Sequence, residues 1–212
     1  MNEQEAFWRG SFGDDYVDRH GNAEVEPRVI FWDRVFDWGS VDAPSSVIEF
    51  GANAGLNLRA IRLLFRQVEL PLGENDLFGV EINEKAAAEL GEHGFPHRVG
   101  SMLGFDPGGR RWDLAFTMGV LIHVAPQDLP RAYEALDAAS DRYVLMAEYY
   151  SSTPREIEYR GHRGRLWARD FCSGFMEQFS GQYQLRDYGF AYHGDPECPL
   201  DDVTWMLMER SL

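Results

Sequence analysis

Along the chain, short apolar runs that stop at a polar residue alternate with longer stretches whose apolar positions recur every three or four residues. Val47-Ile48 closes on the carboxylate Glu49, a glycine-bearing loop follows, and Leu58, Ile61, Phe65 and Val68 then share one helical face. After the turn-forming residues 70–76, residues 77–81 form a second strand that again ends in an acid, and 84–92 is a helix. Residues 97–100 are a short third run and 112–117 a fourth strand, followed by a helix carrying Leu129, Ala132, Tyr133 and Leu136 on one side. Residues 142–148 make a fifth strand, and a helix spans 169–180. The runs 183–192 and 202–209, joined through a turn at 193–196, are expected to close the sheet as a hairpin of sixth and seventh strands. Ahead of all this, residues 3–38 read as helical and are rich in aromatics: Phe7, Trp8, Phe12, Tyr16, Phe31, Trp32, Phe36 and Trp38. Val29, Trp32 and Phe36 share a face that would pack on the sheet. This alternation predicts a doubly wound, Rossmann-like α/β fold.

Composition narrows the picture. A chain of 212 residues that is 44% hydrophobic can bury one full core. It is read as an N-terminal helical cap (1–40) on one compact unit (41–212). With 35 acidic against 20 basic residues the net charge is −15, so a polyanionic duplex would be repelled and nucleic acid is not the expected partner. Cys172 and Cys198 lie far apart and form neither a C-x-x-C pair nor a His/Cys cluster, which argues against a disulfide framework or a zinc site. The first residues lack a signal-peptide layout, and no apolar run approaches the roughly 18 residues of a membrane span. The expectation is a soluble, cytoplasmic monomer or homodimer, without membrane association, that acts on a small molecule.

The loop after the first strand carries the candidate chemistry. Gly51 and Gly55 let backbone approach a ligand, and the helix opening behind them points free N–H groups into the same space. A dinucleotide fingerprint fails, because Asn53 and Leu56 stand where its second and third glycines belong. The spacing Glu49-x-Gly51-x-Asn53-x-Gly55 instead resembles the first motif of class I S-adenosylmethionine-dependent methyltransferases. Glu81, at the tip of the second strand, can accept hydrogen bonds from both hydroxyls of a ribose. The N-terminal aromatics are read first as core, with a lid as the alternative: Trp8 and Tyr16 would face a sulfonium cation and Arg19 its carboxylate.

Two further features lie beyond the fourth strand. His123 is either a general base for an attacking hydroxyl or amine, or a structural histidine bonded to nearby backbone. Arg155, Arg160, Arg163, Arg165 and Arg169, with His162, form a basic island against Glu156 and Glu158 in an otherwise acidic chain. It reads as a loop after the fifth strand that either pairs its own acids or binds an anionic acceptor.

Over nearly its whole length the chain resembles the small methyltransferase family associated with pseudaminic acid biosynthesis genes. The resemblance rests on E-F-G-A-N-A-G-L-N, F-G-V-E-I-N, G-V-L-I-H-V-A-P, A-E-Y-Y, E-Y-R-G-H, A-R-D-F and D-D-V-T-W, in that order. It implies a seven-stranded sheet with an antiparallel last strand, S-adenosylmethionine as cofactor, and cofactor roles for Glu49, Gly51, Asn53, Gly55 and Glu81. Asn57 and Met118 join these, with Ile82, Ser101 and Met102 placed at the adenine. It also implies an acceptor pocket near Glu148, Tyr149, Tyr159, Arg160, His162 and Asp170, with Tyr150 and His123 close to the transferred methyl. Ser151-Ser152 stand where the family has Asn-Pro. The expected activity is metal-independent methylation of oxygen or nitrogen on a small, anionic metabolite such as an acidic or nucleotide-linked sugar, or a natural-product intermediate. A non-catalytic cofactor-binding protein and a nicotinamide-dependent sugar oxidoreductase are the alternatives.

Overall fold

Seven strands form one sheet, in which β1 (Val47–Phe50) is an interior, fully buried strand. On one side lie β2 (Leu77–Glu81) and β3 (His97–Val99); on the other lie β4 (Trp112–Met118), β5 (Ser140–Glu148), β9 (Val203–Arg210) and β8 (Tyr183–Ala191). The computed structural model describes residues 1–20, 24–37 and 41–211. Trp38 and the boundary drawn at residue 40 therefore lie outside the described residues. β1 to β5 run parallel, and β9 enters antiparallel between β5 and β8. This is the doubly wound, seven-stranded order expected, with the last strand reversed.

Successive residues of a strand face opposite ways, so the sheet feeds two cores. Val47, Leu114 and Phe116 point to α3 (Glu26–Phe36) and α4 (Leu56–Gln67), where Trp32 packs edge-on to Phe116 at 4.7 Å. Ile48, Ala115 and Val144 point to α6 (Leu129–Ala139) and α7 (Phe171–Gln178). In α3, Val29, Trp32 and Phe36 all turn inward as the helical spacing requires.

Three expectations change. The N-terminal stretch is not one run: α1 (Glu3–Arg9) ends at Gly10, and α2 (Ser11–His20) turns back beside it. The corner is tight, because a Cβ on Gly13 would lie 1.9 Å from the Trp8 carbonyl oxygen. The basic island is not a loop but a two-stranded antiparallel ribbon, β6 (Arg155–Tyr159) and β7 (His162–Ala168). It turns through Arg160 and Gly161, both at positive φ (50° and 81°). Its apolar positions Ile157 and Tyr159 alternate with charges at a period of two, while Leu166 and Ala168 flank Trp167 on the partner strand. The charges dominate that stretch and conceal the strand pattern. α7 is also shorter than expected, because Asp170 caps it at Phe171 and it stops at Gln178. No described helix is long and apolar enough to cross a membrane.

Candidate active site

The carboxyl ends of β1, β2 and β4 open into a cavity of about 400 Å³, roofed by α1 and α2. Its floor is the turn after β1. Gly51 has φ +72°, and a Cβ there would lie 2.4 Å from Cγ2 of Val120, so only glycine lets the loops after β1 and β4 meet. Glu49, 2% exposed, accepts a hydrogen bond at Oε1 from Asn57 Nδ2 (2.7 Å). Asn57 Oδ1 in turn accepts from Arg28 Nε (3.0 Å). Glu49 Oε2 has no hydrogen-bond partner among the described residues. Burial pushes the Glu49 carboxyl up to about 8, with Asn57 and the Arg28 charge pulling the other way.

At the tip of β2 a second buried acid is oriented by backbone. Glu81 Oε2 accepts from Asn53 N–H (2.8 Å) and Oε1 from Asn83 N–H (2.7 Å). Burial raises its pKa while these bonds restrain it. Asn53 sits at φ +48°, a conformation asparagine tolerates, and its buried Oδ1 has no partner among the described residues. Two acids thus stand on adjacent strands with the glycine turn between them.

Most of the sequence candidates for cofactor binding meet at this cavity. Glu49, Gly51, Asn53, Asn57 and Glu81 line the floor; Ile82, Ser101, Met102 and Met118 line the walls; Trp8 and Tyr16 line the roof. Gly55 does not border it but begins α4 at φ +79°, packed against Leu90. Arg19 is also outside the lining, its guanidinium lying over the rings of Phe12 (5.6 Å) and Tyr16 (5.8 Å). Arg28 lines the cavity instead, and burial is the main cause lowering its pKa. Sequence reasoning missed it, although an arginine beside Val29 in an amphipathic helix was a signal that the charge is buried. Asn83 and Asp201 were missed too; the latter belongs to the D-D-V-T-W run leading into β9.

His123 ends a short 3-10 turn after β4 and borders the cavity. Its Nδ1 lies 2.7 Å from the Arg165 carbonyl of β7, which can only accept, so Nδ1 carries the proton. No described residue hydrogen-bonds Nε2. The ring stands between Trp8 (4.5 Å) and Tyr159 (5.1 Å), and burial pushes its pKa down to about 4.

The remaining acceptor candidates do not line the cavity. Glu148, 2% exposed, accepts backbone N–H bonds from Val120, Leu121 and Ile122 (3.2, 3.1 and 3.3 Å) and so clamps the loop that carries His123. Burial pushes it up to about 7. Asp170 bonds Ser173 N–H and Oγ, both at 2.8 Å, as the cap of α7. Tyr150 is 44% exposed and borders a small separate crevice with Arg169. Tyr149 is half-buried, its hydroxyl pushed up to about 12 by burial. Tyr159 and His162 brace the roof, His162 lying 5.0 Å from Phe7, while Arg160 lies over Tyr159.

No protein-family model matches the chain, and no curated protein matches it in sequence. Solved structures do match in fold. Magnesium protoporphyrin IX methyltransferase from Synechocystis, solved with bound S-adenosylmethionine, superposes with a TM-score of 0.66 at 12% identity, covering 100% of this chain and 99% of that one. The 1,6-didemethyltoxoflavin N1-methyltransferase of Burkholderia thailandensis, solved with its substrate and S-adenosylhomocysteine, gives 0.67 at 15% identity over 98% and 87%. An S-adenosylmethionine-dependent methyltransferase from Clostridium acetobutylicum gives 0.62 at 9% identity over 93% and 97%. At these identities the likeness is one of fold: the chain has the class I methyltransferase architecture.

Proposed function

We propose that the chain is an S-adenosylmethionine-dependent methyltransferase acting on oxygen or nitrogen of a small molecule. The observation that carries this reading is the pair of buried acids on adjacent strand tips, Glu49 and Glu81, on either side of a turn whose glycine cannot bear a side chain. Glu81, fixed by the N–H groups of Asn53 and Asn83, presents its remaining lone pairs to the two hydroxyls of a ribose. Arg28 offers the cation for an α-carboxylate, and Glu49 Oε2 and Asn53 Oδ1 are free acceptors for an ammonium group. Ile82, Ser101 and Met102 suit a purine, apart from one polar group an apolar surface. These residues fit the cofactor. When bound, S-adenosylmethionine supplies a methyl group on a sulfonium, open to in-line displacement by a nucleophile.

The protein's part is positioning and proton handling. Trp8 and Tyr16 cover the cavity with aromatic faces suited to a cation and keep water out. Glu148 holds the turn before His123, and the Arg165 carbonyl fixes which ring nitrogen of His123 is free. The fold relatives' own acceptors, a magnesium porphyrin and a toxoflavin precursor, support a small organic acceptor here. An anionic acceptor would draw on Arg59, which lines the cavity, more readily than on Arg163 or Arg165, which face Glu158 (3.7 Å) and Glu3 (3.6 Å).

Calorimetric titration with S-adenosylmethionine, S-adenosylhomocysteine and NADH side by side tests the reading. The first two are expected to bind with one site per chain and NADH not at all. Tight NADH binding, or no binding by either adenosyl compound, would overturn it.

A further inference from the structure

We propose that Gln4 and Trp8 of α1 are specificity-determining residues, and that the part of the acceptor they read is an uncharged group carrying both hydrogen-bond donors and an acceptor atom, as a carboxamide does. This rests on the methyltransferase reading and names the substrate class for the same cavity.

Unpartnered polar atoms around the cavity carry the inference. On the floor they are Glu49 Oε2 and Asn53 Oδ1, where the amino-acid end of the cofactor is placed. In the roof they are Gln4 Oε1 and Trp8 Nε1, both buried and without a hydrogen-bond partner among the described residues. The two residues stand four apart on α1 and so share one face of the helix.

What each atom offers is fixed by its surroundings. Gln4 Nε2 donates to the Gly164 carbonyl of β7, which can only accept, so Oε1 is the end of the amide left over and it offers lone pairs. Trp8 Nε1 offers an N–H and nothing else. The Trp8 ring stands 4.5 Å from that of His123, which is held through Nδ1 by the next carbonyl of β7, that of Arg165. His123 Nε2 therefore adds a second lone pair at this end. Leaving such groups buried and unpaired is unfavourable. A ligand that brings N–H or O–H groups to Gln4 and His123 and an oxygen to Trp8 removes that penalty.

Charge argues against an anion here. An ionised carboxylate has no hydrogen to give Gln4 Oε1 or His123 Nε2. It would also meet Glu5, the acid that α1 brings to the lining, whose carboxylate accepts from the Asn2 N–H at 2.6 Å. The lining arginines, Arg28 and Arg59, stand instead on α3 and α4. A carboxamide has the matching pattern, two N–H groups for the lone pairs and a carbonyl for the indole.

The test uses the full chain saturated with S-adenosylhomocysteine, with benzamide and benzoate as probes of one shape whose binding is followed by ligand-observed NMR. Benzamide is expected to bind at least about tenfold more tightly than benzoate. Gln4→Met keeps the length of the side chain and loses its amide. It should weaken benzamide about tenfold, leave benzoate and S-adenosylhomocysteine within about threefold, and so abolish the selectivity. Trp8→Phe keeps a ring and loses the N–H, and should weaken benzamide about tenfold and S-adenosylhomocysteine by less. A merely structural role would weaken both probes in proportion, and that result removes Gln4 and Trp8 from acceptor recognition. Benzoate bound as tightly as benzamide, or no benzamide binding while S-adenosylhomocysteine still binds, overturns the acceptor class alone. Failure of S-adenosylhomocysteine to bind overturns the underlying reading and this inference with it.

Discussion

The floor and the roof of the cavity are built from different physics. The floor is sheet: β1 is buried along its whole length, and its two acids are held by a side-chain amide and by backbone N–H groups. The roof is an assembly of parts. α1 has no buried residue; a capping box at Asn2 and Glu5 closes its own N-terminus, and it meets the rest through an Asn2–Asp128 bond (2.8 Å), ring edges, and ion pairs such as Arg9–Glu84 (2.6 Å) between exposed groups. Exposed pairs of this kind contribute about 0–1 kcal/mol each. The lesson is that the floor is fixed by the sheet while α1 in the cover rests on contacts that are individually weak.

Substitutions that separate the two regions should therefore act very differently. Glu81→Ala is expected to do the most, because it strands the N–H groups of Asn53 and Asn83 in a buried site at a cost of roughly 2–5 kcal/mol. Thermal unfolding should show a large fall in Tm, and calorimetry no S-adenosylhomocysteine binding. Gly51→Ala comes next: a left-handed residue costs about 1–2 kcal/mol, and the new methyl meets Val120. The expected result is a loss of about 10- to 100-fold in S-adenosylhomocysteine affinity.

The pH dependence of stability belongs to the sheet as well. Glu148 and Glu49 hold their protons up to about 7 and about 8, whereas unfolded carboxyls lose them near 4.5. The folded chain binds more protons across that window, so their contribution is fully present below the unfolded value and is lost as pH rises through 7 to 8. Tm should fall by roughly 5 °C between about pH 6 and pH 8.5, and Glu148→Gln should flatten the slope. A Tm that rises over this interval would mean that neither acid is held protonated.

The roof should respond mainly in function. Gly13→Ala forces a methyl against the Trp8 carbonyl and opens the corner between α1 and α2. Tm is expected to change little, while S-adenosylhomocysteine dissociates faster and its affinity falls about three- to tenfold. If Tm instead fell as far as in Glu81→Ala, the roof would be part of the folding core. The smallest effect is expected for Arg163→Ser, whose partner Glu158 is 3.7 Å away on the exposed ribbon: stability within about 0.5 kcal/mol and turnover unchanged.

The same division decides what was legible in the sequence. The alternation of strands and helices and the floor were readable because the first two strands end their apolar runs in Glu49 and Glu81, with the Gly51 turn at a fixed offset; the reversed last strand came from the family resemblance. The ribbon was not readable as strands, because its alternation is interrupted by a run of arginines that reads first as charge. Glu148 and Asp170 looked like acceptor contacts by position, whereas in the fold their oxygens are occupied by backbone N–H groups and, at Asp170, by the Ser173 hydroxyl as well. Arg28 was hidden for the opposite reason, since a helix assigned wholly to packing gave no cause to ask where its one inward cation goes.

A crystal structure of the full chain with S-adenosylhomocysteine bears most directly on the claim that the strand-tip floor is a pre-formed nucleoside and amino-acid site. The ribose diol is expected against Glu81 and the amino-acid end against Arg28 and the Gly51 turn, with the floor residues unmoved from the positions described above. A ligand held elsewhere, or a floor that has to rebuild itself to receive it, would contradict that claim.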